Sequence, residues 1–200
     1  MSAGGGKLRL FVAIGVPEDI QARLATVQRE LREGLGHSSV SWTRPENIHL
    51  TLRFLGDVPT NRIDELAAAL AATAGPQAPL SLALSGLGCF PNSRRPRVLW
   101  AGVCDEAGEL SDFARRIANA TGSFSSRPAE ERFAGHLTLA RVRRVSGDGS
   151  SVIDRFIRET STRALGSWCA GTVELVRSEL HSVGSRYTTL ARLRLAGLNG

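Results

Sequence analysis

The sequence predicts an α+β protein of two similar lobes that share one cleft. Three observations carry that reading. Runs of β-prone residues alternate with stretches of helical periodicity along the chain. The tetrapeptide His-Leu-Thr-Leu occurs twice, as His49-Leu50-Thr51-Leu52 and His136-Leu137-Thr138-Leu139. Each copy sits in one half of the chain, and the order of elements around the second resembles that around the first. With this composition a second histidine would be followed by Leu-Thr-Leu only about once in a thousand trials, so chance is a poor account of the pair.

Taken in order, residues 8–14 are apolar and β-prone, a first strand. Pro17 with Glu18 and Asp19 opens a helix in which Ile20, Leu24, Val27 and Leu31 recur at helical spacing, and Gly34 and Gly36 end it. Residues 40–43 form a short strand and 44–47 a turn; the first motif strand follows, closed by Gly56-Asp57. Thr60 caps the next helix, which carries Ile63, Leu66 and Leu70 on one side. In the second half, residues 80–87 and 98–103 are strands joined by a Pro- and Arg-rich loop over 89–97. Residues 110–120 form a helix with Leu110, Phe113, Ile117 and Ala120 inward, and 123–130 a polar loop. The second motif strand spans 133–142, a short helix 152–159, and the last two strands 172–180 and 187–195. The expected organisation is a flexible Gly-rich lead over residues 1–7 and one domain over 8–200 that contains both lobes.

Side chains alternate faces along a strand. His49, Thr51 and Arg53 are therefore expected on one face, with Leu50, Leu52 and Phe54 packed on the other. In the second copy His136, Thr138 and Ala140 share a face opposite Leu137 and Leu139. Each copy also runs on toward an arginine, Arg53 in the first and Arg141 in the second. A lone His-x-Thr is adequately explained as a satisfied histidine on a half-buried strand. Two matched copies point instead to two imidazoles and two hydroxyls facing one cleft, an acid–base pair around an anionic substrate.

Composition agrees with an anionic partner. The formal charge is +6 and the pI about 10.4, and all of the 25 basic residues except Lys7 are arginines, which suit phosphate through bidentate contact. Cys89, Cys104 and Cys169 are scattered without a C-x-x-C spacing, so neither a zinc site nor a disulfide framework is expected. No cluster with metal-ligand spacing stands out, and no cofactor is expected. A reducing, cytoplasmic compartment fits the cysteine usage. The N-terminus lacks the apolar segment of a signal peptide, and no apolar run is long enough to cross a membrane.

Further segments resemble a known family. Leu10-Phe11-Val12-Ala13-Ile14, Trp42-Thr43-Arg44-Pro45-Glu46-Asn47, Gly86-Leu87-Gly88-Cys89-Phe90-Pro91-Asn92, Arg94-Arg95-Pro96-Arg97-Val98-Leu99-Trp100 and Tyr187-Thr188-Thr189-Leu190 stand beside the two motif copies. Together they resemble the bacterial and archaeal RNA 2′,3′-cyclic phosphodiesterases, also called 2′-5′ RNA ligases, of the 2H phosphoesterase superfamily. Residues 144–168 match nothing diagnostic. The resemblance implies a bilobal fold of two pseudo-symmetric antiparallel-sheet lobes with outer helices and a central cleft. It implies hydrolysis of an RNA terminal 2′,3′-cyclic phosphate to a 2′-phosphate without a metal. By the same resemblance His49 is the proton donor and His136 the proton acceptor, while Thr51, Thr138 and Arg141 bind the phosphate. The expected partner is RNA ending in a 2′,3′-cyclic phosphate, acted on by a monomer.

Three other readings stand beside this one: a 2′-5′ RNA ligase using the same site, a phosphodiesterase for a small cyclic nucleotide, and a non-catalytic RNA-end binding module. The presence of both histidines argues against the last, because threonines and arginines alone would serve binding. Of the remaining candidates, His37 and His181 are read as solvated, and Trp42 and Trp100 as core. Tyr187 is a possible cleft hydroxyl, and the loop with Arg94, Arg95 and Arg97 is either a phosphate grip or a solvated charge run.

Overall fold

The apolar run after Lys7 becomes strand β1 (Lys7–Gly15). Leu10, Val12 and Ile14 point into the main core, while Phe11 and Ala13 form a small cluster with Val176. A strand covered on both faces needs a near-continuous apolar run, and the sequence supplies one here. The computed structural model describes residues 6–125, 127–128, 132–161, 165–181 and 184–197. Of the expected flexible lead, residues 1–5 lie outside them, and Lys7 already belongs to β1.

Helix α1 (Glu18–Leu35), β2 (Ser39–Trp42), β3 (His49–Pro59), α2 (Ile63–Ala74), β4 (Leu80–Phe90) and β5 (Val98–Cys104) follow in order. Then come α3 (Glu109–Ala120), β6 (His136–Arg144), α4 (Gly149–Thr160), β7 (Ser167–Ala170), β8 (Thr172–His181) and β9 (Gly184–Arg194). The strands form one antiparallel sheet in the order β7-β4-β5-β6-β3-β1-β8-β9, with β2 beside β6. Its halves meet at a single pair, Leu50 opposite Leu137. Outward from that seam, β6, β5, β4 and β7 are matched by β3, β1, β8 and β9. The two lobes are thus the two halves of one sheet. Helix α1 packs beside α4 and α2 beside α3, with α4 against β4 and α3 against β3.

The leucines on these surfaces hold the layers together. Burying each contributes about 1.5–3 kcal/mol, whereas exposed pairs such as Arg115–Asp112 add about 0–1 kcal/mol.

Both motif strands carry a β-bulge at the same motif position. Val12 pairs with Arg53 and Ala13 with Thr51, so Leu52 is the extra residue in β3. Leu99 pairs with Ala140 and Trp100 with Thr138, so Leu139 is the extra residue in β6. The buried amide of Gln28 on α1 donates to the carbonyl of Leu139 at 2.8 Å and to that of Thr43 at 2.8 Å, tying α1 to the bulge, where Leu139 also accepts from the Thr43 N–H at 2.9 Å. A bulge reverses side-chain parity beyond it. Arg53 is consequently buried and Phe54 is 46% exposed, the reverse of the simple alternation; likewise Ala140 is buried and Arg141 exposed.

Several other expectations need correction. Gly34 does not end α1; it lies inside, where a Cβ would come within 2.9 Å of Val152 and 3.3 Å of Phe156, so its absence lets α4 approach. The turn instead falls at Gly36, whose φ of 47° only glycine adopts readily. Gly56-Asp57 does not close β3, because Gly56 at φ 75° bends the strand without breaking its pairing to β1. Thr60 is not a side-chain cap. It opens a short 3₁₀ turn, Thr60–Arg62, in which the N–H of Ile63 bonds to the Thr60 carbonyl, and Asp64 and Glu65 supply the acidic first turn of α2. Ala114 rather than Ala120 completes the inward face of α3. Strand β4 extends through Cys89 and Phe90, and residues 144–168 contribute α4 and the edge strand β7.

Candidate active site

Because β3 and β6 touch at Leu50 and Leu137, their motif faces lie on either side of the seam. His49, Thr51, His136, Thr138 and Arg141 all line one cavity of about 450 Å³, which is within the size range of small-molecule sites. Among the described residues that line it there is no carboxylate.

Each histidine is held the same way. The Nδ1 of His49 lies 2.8 Å from the carbonyl of Asn47, and that of His136 lies 2.8 Å from the carbonyl of Ala134. A carbonyl only accepts, so Nδ1 carries the proton and Nε2 is left for the cavity. Aromatic rings fix the planes. Phe11 stacks on His49 with ring centroids 4.7 Å apart, and Tyr187 meets it edge-on at 5.2 Å. Phe90 meets His136 edge-on at 5.3 Å and Trp100 lies at 6.3 Å. Trp100 can lean over β4 only because its partner across the strands is Gly88, where a Cβ would stand 2.2 Å from the indole.

Burial lowers the pKa of His49 from the usual 6.5, opposed by the Asn47 carbonyl and the charge of Glu174, with His136 adding to the lowering. Glu174 sits on β8, where it accepts from Thr189 at 3.0 Å and from Arg192 at 2.8 Å.

Of the two arginines that follow the motifs, only Arg141 reaches the cavity. Arg53, 6% exposed, points away and donates to the carbonyls of Pro128 and Arg127, both at 2.7 Å. The position matching Arg141 in the first copy is Phe54, whose exposed ring lines the cavity and lies 6.1 Å from Phe11. Sequence parity placed Phe54 in the core; a pairwise alignment of the two copies would have set it opposite Arg141. Phe11, Phe90 and Asn47 are further site residues that sequence reasoning missed, and Trp100, expected in the core, touches His136. Tyr187 does line the cavity. Arg94, Arg95 and Arg97 are exposed outside it, and neither His37 nor His181 is part of it.

Two His-x-Thr strands that converge on one polar cleft, with Arg141 beside the second, are the arrangement expected of a 2H-type phosphoesterase. Comparison with known proteins narrows the class. Residues 14–100 match the family model described as LigT like phosphoesterase. An RNA 2′,3′-cyclic phosphodiesterase of Aquifex aeolicus is 31% identical over 157 residues, covering 78% of this chain and 82% of that protein. One of Methanothermobacter thermautotrophicus is 30% identical over 189 residues, covering 94% and 100%. A crystal structure of a Thermus thermophilus protein superposes with a TM-score of 0.77 at 28% identity, covering 96% and 100%. The chain belongs to the LigT-like phosphoesterases, the family of these RNA 2′,3′-cyclic phosphodiesterases.

Proposed function

We propose that this protein hydrolyses the 2′,3′-cyclic phosphate at the end of an RNA to a 2′-phosphate, with His49 and His136 as the acid–base pair. The observation that carries the reading is the pair of imidazoles anchored alike through Nδ1, each with Nε2 free toward one cavity. The names of the relatives at about 30% identity point to the same substrate.

In the proposed step, His136 Nε2 takes a proton from the water that attacks phosphorus. The P–O3′ bond breaks, and His49 donates its Nε2 proton to the departing 3′-oxygen. The hydroxyls of Thr51 and Thr138 and the guanidinium of Arg141 bind the non-bridging oxygens, where charge accumulates. The donors at hand suffice for this without a metal. Burial disfavours the imidazolium of His49, so its acid role depends on the negative charge of the bound phosphate to restore the proton. Phe54 offers its exposed face to the nucleobase.

The test is an oligonucleotide ending in 2′,3′-cyclic phosphate, with the product phosphate located by NMR. His49→Ala and His136→Ala should each lower turnover at least about a hundredfold. A near wild-type rate in either variant removes the two-histidine mechanism, and a 3′-phosphate product overturns the direction of ring opening.

A further inference from the structure

The pseudo-twofold relation between the motif strands is broken at one position, and the break gives the cleft a direction. Arg141 and its counterpart Phe54 both line the cavity, and on the proposed reading the cation meets the cyclic phosphate and the exposed ring meets the base. The nucleoside of a bound terminal nucleotide therefore points along β3 toward Phe54 and beyond. Two more arginines line the cavity, Arg9 and Arg127. Arg9 pairs in register with Asp57 and lies two residues along β1 from Phe11, the partner of Phe54, or about 7 Å further along the strand. Arg127 lines both the catalytic cavity and an adjoining one that also touches Phe54.

Arg127 is held in place by design of the surrounding bonds. Arg53 sits almost fully buried and uses both terminal nitrogens on the backbone of Arg127 and Pro128. Burying a guanidinium is costly, and charge-assisted bonds to carbonyls offset it. Ser125 adds a second anchor: its hydroxyl donates to the Leu55 carbonyl at 3.1 Å and accepts from the Arg127 N–H at 3.1 Å. The pinned segment presents the exposed Arg127 side chain at the nucleoside end of the cleft. Among the described residues, no carboxylate forms an ion pair with Arg9 or Arg127, although Asp57 stands opposite Arg9 on β3.

Resting on the phosphodiesterase reading, we infer that Arg9 and Arg127 form a subsite for the phosphodiester on the 5′ side of the terminal nucleotide. The preferred substrate is then an RNA of at least two nucleotides. The chemistry recognised is a second phosphate one nucleoside away from the cyclic one, and RNA is the source that the internucleotide spacing fits.

The test compares 2′,3′-cyclic AMP, a diadenylate with a 2′,3′-cyclic end and ADP-ribose 1″,2″-cyclic phosphate on wild-type protein, Arg9→Ala, Arg127→Ala and Arg95→Ala. Binding of the corresponding 2′-phosphate products is measured in parallel, which reads the subsite with or without turnover. For each cleft arginine removed, the dinucleotide should lose about fivefold in kcat/KM and in affinity while the mononucleotide keeps its values. Arg95→Ala should leave the dinucleotide unchanged, and the extra dinucleotide affinity should weaken with salt. Equal losses on mono- and dinucleotide, no loss on either, or the same loss with Arg95→Ala would overturn the subsite. A larger loss on the ADP-ribose compound than on the dinucleotide would overturn its assignment to RNA. Absence of turnover on every substrate would instead count against the phosphodiesterase reading, and the binding data would still decide the subsite.

Discussion

At the scale of single residues, His49 is under contrary influences: aromatic burial resists its positive charge, while Glu174 and the Asn47 carbonyl favour it. The sign can be followed into a pH profile. A general acid must begin protonated, and kcat/KM reports ionisation in the free enzyme. Since the pKa of His49 is lowered, its protonated fraction declines as pH rises through a midpoint below 6.5. The alkaline limb of kcat/KM should therefore begin on the acid side of that value. Glu174→Gln removes a charge that favours the imidazolium, so the limb should move to still lower pH. A midpoint that stays put or rises in this variant would separate Glu174 from the acid. Arg53 teaches a different lesson at this scale, since an arginine next to a His-x-Thr motif here holds the backbone of Arg127 and Pro128 instead of facing the cavity.

At the scale of elements, the paired bulges at Leu52 and Leu139 decide which side chains face the cleft. They turn Phe54 and Arg141 into the cleft and send Arg53 and Ala140 beneath it. The hairpin of β4 and β5 matters for a related reason, because Trp100 reaches His136 only across the bare backbone of Gly88. Gly88→Ala should displace the indole, with a loss of about 1–3 kcal/mol of stability from overpacking. Turnover should fall with it, because His136 loses one of its two aromatic supports. Thermal unfolding and kcat on the same preparation check both. Wild-type values for the pair would mean the indole has another place to go.

At the scale of the whole molecule, one sheet carries both halves of the site, and the seam at Leu50 and Leu137 sets the distance between the two imidazoles. No helix among the described residues is long and apolar enough to cross a membrane. The described residues also contain no group of three or more His, Cys, Asp or Glu arranged to hold a metal ion. Hydrolysis of 2′,3′-cyclic AMP should accordingly proceed at the same rate in EDTA as without it. Loss of activity on chelation, restored by a divalent ion, would contradict the proposed chemistry.

The sequence by itself determined the class of fold, the helical stripes and the existence of a paired site. Helical periodicity in Ile20, Leu24, Val27 and Leu31 and the alternation of His, Leu, Thr and Leu are local properties that survive without a tertiary context. Local repetition was also enough to bring out His49, Thr51, His136 and Thr138 as candidates. Arg141 came from family resemblance, since strict alternation would have turned it away from the cleft. What only the tertiary structure decided was the parity beyond each motif. A bulge is a mismatch between two strands, so no single strand reveals it, and one extra residue exchanges the two faces. For that reason Arg53 and Phe54 traded places, and Phe11, Phe90 and Trp100, read from their own segments as ordinary apolar residues, turned out to frame the histidines.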